Sequence, residues 1–135
     1  HRLMRSLRVT LAAPATGAYL AALAEGLTGL NFALMRASAE GGAPLPLLYE
    51  SGVVYRREPR GEERWLTAPE LLARGAGDCE DLSAYRAAEL RHLDGEPAVV
   101  EVIRNRRGSF HAVVRRADGA LEDPSRILLA LESRR

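Results

Sequence analysis

The sequence contains no lysine and only one cysteine, and these two shortages restrict what the protein can be. All 19 basic side chains are arginines, and against 18 acidic residues they give a formal net charge of +1. A chain so close to neutral has no overall basic field, which argues against nucleic acid or an anionic membrane as a partner. A single cysteine excludes a disulfide within the chain and zinc sites built on paired cysteines.

Long apolar runs are lacking too. The longest, Ala18–Ala24, is much shorter than the ~20 residues that cross a bilayer. The segment Leu11–Pro14 is too short for the apolar part of a signal peptide. We therefore expect a cytoplasmic protein without a membrane partner, and 135 residues with 47% hydrophobic content fit one globular domain.

The only cysteine, Cys79, lies in the stretch RGAGDCEDLSAYRAAELR (Arg74–Arg91), where a glycine-rich turn precedes a helical pattern. Asp78 is a good N-cap residue, and Asp81 stands where the acid of a capping box belongs. Cys79 is thus predicted in the first turn of a helix, where the dipole favours the thiolate. The dipole effect is small and the neighbouring acids oppose ionisation, so a reactive thiolate needs a basic partner from elsewhere.

The hydrophobic pattern predicts helices that alternate with short strands. Helices are predicted over Ala18–Ala39, Thr67–Arg74 and from Cys79 to about Leu93. Strands are predicted over Ser6–Ala12, Val53–Tyr55, Pro97–Arg104, Ser109–Arg116 and Leu121–Asp123. The last three strands form an antiparallel meander, so the fold class is α+β, with helices packed on an antiparallel sheet.

The meander contains two residues that could act with Cys79. His111 lies near the start of its second strand, and Asp123 ends the third strand. The start of one strand can lie beside the end of its antiparallel neighbour, so we expect Asp123 to orient the His111 ring. We also expect His111 to face the first turn of the Cys79 helix. A nucleophile, a base and an orienting acid form the constellation of thiol catalysis.

The motifs GAGDCEDLSAYRAAELR, GEPAVVEVI, FHAVV and LEDPS follow one another in this order. Together they resemble the transglutaminase-like superfamily, which has the papain-like fold. The likeness covers about Trp65–Ser125, and the fuller string LYESGVVYRREP…GDCEDLSAYRAAELR…EDPSR is similar to a bacterial and phage-associated branch. In many members an aromatic residue follows the histidine, whereas this chain has Ala112. The resemblance implies one domain, in which residues 1–64 supply a strand, a long helix and a loop, and residues 65–125 supply the Cys-His-Asp core.

The resemblance also implies an activity: a cysteine peptidase, amidase or transglutaminase that acts on a peptide or protein and needs no cofactor. Cys79 would attack a carboxamide or peptide carbonyl, His111 would move the proton, and Asp123 would hold the His111 tautomer. The backbone N–H of Cys79 is the expected oxyanion donor. Trp65 and Tyr55 are candidates for the second donor.

Two alternatives stay open at this point. Asp78, Glu80 and Asp81 could suggest a metal site, but capping and solvation explain them better, so no metal is predicted. The rival to an enzyme is a catalytically silent structural or binding module, for example a subunit of a phage-like particle, where the protein would then be located. Proteolysis, deamidation and crosslinking differ in the acceptor, and the sequence does not distinguish them.

Overall fold

The computed structural model describes residues 16–58, 64–104, 106 and 108–135. Within this part of the chain the helices are α1 (Gly17–Glu40), α2 (Ala68–Arg74), α3 (Cys79–Asp94) and α4 (Pro124–Glu132). The strands are β1 (Val54–Tyr55), β2 (Ala76–Gly77), β3 (Val99–Arg104), β4 (Phe110–Arg115) and β5 (Leu121–Glu122). β1 and β2 pair in parallel, and β3, β4 and β5 form an antiparallel sheet in that order. The α+β class is confirmed, and the strand predicted at Ser6–Ala12 lies outside the described residues.

Helix α1 follows the predicted bounds closely and packs against α3 and β3. It has 24 residues and a mean hydropathy of 1.3 over its most apolar window, so by length and composition it could cross a membrane. The run Ala18–Ala24 underestimates the apolar length of α1, because scattered polar residues interrupt the run without lowering the average hydropathy much. That the protein has no membrane partner stays a prediction. Core helices of globular proteins and signal sequences pass the same test. Here Ala24 and Leu27 of α1 are buried in the core.

Helix α3 is the central element, with hydrophobic residues buried on both sides. Its bounds confirm the prediction: Asp78 is the N-cap, and Gly95 ends the helix with a φ of 66°.

Two hydrophobic clusters form the core on either side of α3. One cluster fills the space between α1, α3 and the sheet, and includes Leu27, Cys79, Ala84, Ala87, Val100, Ala112 and Val114. The other lies between α3, α2 and α4, and includes Leu48, Val53, Leu71, Leu82, Tyr85 and Leu128.

Helix α4 was not predicted. The sequence Asp123-Pro124 was interpreted as the end of a strand and a turn, but Asp123 is the N-cap of α4 and Pro124 occupies its first turn. An N-cap acid followed by proline is also a helix start, because proline lacks the N–H that a first turn leaves unbonded. As a result, strand β5 ends one residue earlier than expected, at Glu122.

Within the part of the chain that the structure describes, the antiparallel sheet leaves the first residues of β4 with a strand neighbour on one side only. β3 pairs with β4 along its whole length, from Val99 opposite Arg115 to Arg104 opposite Phe110. β5 pairs with β4 only where Glu122 lies opposite Val114 and Leu121 opposite Arg115. The first residues of β4, which include His111, therefore have an open edge on the side of α3 and α4.

Candidate active site

Cys79 lies at the start of α3 and touches the open edge of β4. Its Sγ atom accepts a hydrogen bond from the backbone N–H of Ala112, at 3.4 Å, where a longer β5 would otherwise bond. The thiol donates to the Oε2 atom of Glu80, at 3.3 Å. The residue is buried, with 8% of its surface exposed. The sulfur is thus held between the helix start and the strand that carries His111.

His111 and Asp123 are brought together as predicted. The Nε2 atom of His111 lies 2.9 Å from the Oδ2 atom of Asp123. A carboxylate can only accept a hydrogen bond, so Nε2 carries the proton in this contact. This contact leaves Nδ1 as the ring nitrogen that can take up and release a proton. His111 directly precedes Ala112, whose N–H bonds the Cys79 sulfur, so Cys79 contacts the part of β4 that carries His111.

The Asp123 carboxylate has a second task in the structure. While Oδ2 contacts His111, Oδ1 accepts the backbone N–H of Arg126 at 3.3 Å and caps α4. Both oxygens are therefore engaged, which restricts rotation of the carboxyl group. The contact of Asp123 with His111 was predicted from the sequence, whereas its role as the N-cap of α4 was not.

The electrostatics of the thiol agree with the expectation that the neighbouring acids oppose its ionisation, and burial acts in the same direction. Burial strongly raises the pKa of the Cys79 thiol, and the nearby carboxylates of Glu80 and Asp78 raise it further. The hydrogen bond from Ala112 lowers the pKa in part. Among the described residues, the hydrogen bonds of the sulfur are those with Glu80 and Ala112, so the thiol proton is directed at Glu80 and not at His111.

The predicted oxyanion donor is occupied. The backbone N–H of Cys79 donates to the Oδ1 atom of Asp78 at 2.7 Å, so it is not directed at a substrate position. Tyr55 and Trp65, the other two candidates, both pack against the hydrophobic cluster that contains Cys79. Burial raises the pKa of Tyr55, and Asp78 adds to this effect, so its hydroxyl remains a hydrogen-bond donor.

The acids around Cys79 build the turn before α3, as predicted for Asp78 and Asp81. Asp81 is fully buried and accepts the N–H of Asp78 at 3.0 Å and that of Leu66 at 2.7 Å. Burial raises the pKa of Asp81 to about 8, and the carboxylates of Glu80 and Glu58 act in the same direction. The bond to Leu66 ties this turn to the segment before α2, a link that the local sequence pattern does not reveal.

Within the described residues, two groups of side chains bring three potential metal ligands within 4.8 Å of one another. One consists of Asp78, Cys79 and Glu80, and the other of Glu58, Glu80 and Asp81. The observed hydrogen bonds of Asp78 and Asp81 account for these two residues as caps, in agreement with the capping interpretation. That the protein binds no metal stays a prediction.

Comparison of the chain with protein-family models, with curated proteins and with solved structures finds no match in any of the three. The resemblance to transglutaminase-like proteins therefore rests on the sequence motifs alone. The geometry around Cys79 provides the other observations that bear on function.

Proposed function

We propose that the protein catalyses thiol-dependent acyl chemistry on a peptide or protein, with the papain-like arrangement of a transglutaminase-like domain. Cys79 is the nucleophile, His111 the base and Asp123 the orienting acid. One observation supports this proposal above the others: the residue that holds the Cys79 sulfur, Ala112, directly follows His111, whose ring contacts Asp123 at 2.9 Å.

The reaction begins with transfer of the thiol proton to Nδ1 of His111. A rotation of the Cys79 side chain away from Glu80 is needed first, because the resting thiol donates to that carboxylate. The thiolate then attacks the carbonyl carbon, a C–S bond forms, and the C–N bond breaks as His111 returns the proton to the leaving amine. Water or an amine, deprotonated by His111, cleaves the resulting thioester and releases the thiol.

Trp65 and Tyr55 remain the candidates for stabilising the oxyanion. Both pack against the hydrophobic cluster that contains Cys79, and each carries a hydrogen-bond donor. The backbone N–H of Cys79 could take part only after leaving the Asp78 carboxylate. Preorganised donors at the developing negative charge are commonly the largest contribution to such catalysis.

The proposal is tested by the rate of Cys79 alkylation with iodoacetamide between pH 5 and 9, in the wild type and in His111→Ala. If His111 accepts the thiol proton, the wild type reacts about tenfold faster than His111→Ala at pH 7. A thiol pKa that is lower by one unit gives about ten times more thiolate. His92→Ala, which removes a histidine at the other end of α3, should react like the wild type. Equal rates in all three proteins would refute a role for His111.

A second candidate function is a catalytically silent structural or binding module, for example in a phage-like particle. The observation that favours it is the buried thiol, whose pKa is raised by burial and by Glu80. Such a module would show slow alkylation that depends on pH in the same way with and without His111. It would also show no hydrolysis or amine exchange with any peptide amide, including substrates supplied at high concentration.

A further inference from the structure

We infer that Glu122 is a positioning residue, whose clamped carboxylate fixes strand β5 so that the following residue, Asp123, meets the ring of His111. The catalytic meaning of this inference rests on the proposed function. The clamp itself is a statement about geometry and can be tested separately.

Strand β5 is too short to hold Asp123 in place by backbone pairing. It consists of two residues and pairs with β4 only at Val114 and Arg115. α4, which follows it and which Asp123 caps, packs against α3 and β1 and so holds Asp123 from one side. From the other side, the contacts of the Glu122 side chain add to the short backbone pairing.

The Glu122 side chain makes these contacts. Oε2 accepts a hydrogen bond from Nε of Arg86 at 2.7 Å and another from the hydroxyl of Tyr49. Oε1 accepts from Nη1 of Arg116 at 2.8 Å. Burial opposes ionisation, but the hydrogen bonds from Arg86 and Tyr49 outweigh it and lower the pKa of the Glu122 carboxyl. The three donors come from α3, from the 3-10 turn Leu48–Glu50 and from the residue directly after β4.

The donors are themselves held in place. Nη1 of Arg86 donates to Glu89 at 2.7 Å, and the other carboxylate oxygen of Glu89 accepts the N–H of Leu48 at 2.8 Å. The Arg86 guanidinium lies 4.9 Å from the centre of the Tyr49 ring. Arg116 makes two hydrogen bonds to Glu96, at 2.7 and 2.8 Å. The clamp is therefore a connected network with little freedom to shift.

This network ties the orienting acid to the helix that carries the nucleophile. Arg86 lies about two turns after Cys79 on the same face of α3. Because a helix is stiff over this length, the clamp sets where Asp123 and His111 lie relative to the sulfur. Burying charges rarely gives a net gain in stability. Stabilisation of the short strand β5 alone would therefore not account for a charge network of this kind.

The test compares Glu122→Gln with Glu25→Gln. Glu25 is a matched control, because its carboxylate also pairs with an α3 arginine, Arg91, but lies on α1. Two quantities are measured in the full chain: the fraction of neutral His111 with the proton on Nε2, from ¹⁵N chemical shifts at pH 9, and the alkylation rate of Cys79 at pH 7. Asp123→Ala provides the reference for an unoriented ring.

We expect the Nε2–H fraction in Glu122→Gln to fall towards the value in Asp123→Ala, and the alkylation rate to fall roughly tenfold, as for loss of an outer partner of a functional imidazole. Glu25→Gln should change neither quantity. Tyr49→Phe removes a single hydrogen bond from the clamp and should shift both quantities in the same direction by less. It also provides the test if Glu122→Gln does not fold.

An unchanged tautomer fraction in folded Glu122→Gln, or in Tyr49→Phe if the former does not fold, overturns the clamp. A reduced fraction together with an alkylation rate that is insensitive to His111→Ala has a different meaning. In that case the clamp stands as a positioning device, and the proposed thiol chemistry fails.

Discussion

Glu80 is the residue that most directly controls the state of the thiol. Its carboxylate accepts a hydrogen bond from the Cys79 thiol, with Sγ 3.3 Å from Oε2, and contributes to the raised pKa of the thiol. A carboxylate beside a thiolate is a repulsive contact between like charges. At the scale of single residues, the surroundings of Cys79 thus favour a neutral thiol.

Replacement of Glu80 by glutamine should therefore make Cys79 more reactive. Without the carboxylate the thiol pKa falls, and a fall of half a unit raises the thiolate fraction about threefold. We expect the alkylation rate at pH 8 to rise by roughly that factor or more. The same change at Glu50, in the 3-10 turn, is the control; a slower reaction in Glu80→Gln would contradict the role assigned to Glu80.

The two tasks of Asp123 can be separated by two substitutions. Asparagine is a good N-cap, so Asp123→Asn should keep the stability of α4 while it impairs the orientation of His111. Asp123→Ala should also lose the cap, at a cost of about 1 kcal/mol in the free energy of unfolding. Urea denaturation measures the stability of each variant, and the rate of Cys79 alkylation measures the effect on the orientation of His111. Equal stability of the two variants would show that the bond to Arg126 contributes nothing.

Residue roles were predictable from sequence where they depend on local spacing. Asp78 and Asp81 form the capping box of α3 as predicted, because a capping box is fixed by a distance of three residues along the chain. The contact between His111 and Asp123 followed from strand pairing. The bond from the Cys79 N–H to Asp78 and that from the thiol to Glu80 could not be predicted, because they depend on side-chain rotation within a few ångströms.

At the scale of elements, the approach of β2 to α2 and α3 depends on Gly77. A Cβ atom at this position would lie 2.5 Å from Cδ1 of Leu71 and 3.1 Å from Asp81. Leu71 is fully buried, so its side chain cannot readily move aside. This contact explains why the turn before Cys79 requires a glycine, independently of backbone angles.

Gly77→Ala should consequently destabilise the protein by about 1–3 kcal/mol, the usual cost of overpacking a core. Gly29→Ala is the matched control, because nothing lies within 4 Å of its added Cβ and the position is helical. The control should gain up to about 1 kcal/mol from helix propensity. Opposite shifts of the urea midpoint in the two variants are expected, and a stabilised Gly77→Ala would contradict the close approach.

Long elements with regular periodicity were predicted with nearly correct bounds, and so were the short elements α2 and β1, whereas β2 and α4 were not predicted. Helices α1 and α3 and the hairpin of β3 and β4 have enough residues for the hydrophobic pattern to identify them. The parallel pairing of β1 with β2 involves only two residues on each strand, so tertiary contacts decide it. Helix α4 was missed because its first residues also satisfy the pattern of a turn.

For the whole molecule, the buried carboxyl of Asp81 has a consequence for stability as a function of pH. Its pKa is about 8 in the folded protein, well above the ordinary value of an aspartic acid. Between pH 4 and pH 8 the folded state therefore holds a proton that the unfolded state has lost. Stability from this group is fully present at low pH and is lost as the pH rises through 8.

We accordingly expect the free energy of unfolding to fall between pH 5 and pH 8, by at most about 1.4 kcal/mol per pH unit, the slope for one proton. Glu96, whose pKa the Arg116 hydrogen bonds lower to about 2, acts in the opposite direction only at more acidic pH. Asp81→Asn should be less stable overall, because it loses an acceptor, but its slope should be flatter. An identical slope would mean that Asp81 is ionised in the folded protein.

The shared use of Asp123 has a consequence for how the molecule would fail on heating. One carboxylate caps α4 and contacts the histidine ring, so opening of that helix and release of the ring are a single event. Only three of the nine residues of α4 are buried, so we expect α4 to open before the core around α3 on heating. On the proposed function, the activity would then be lost while most of the fold is still intact.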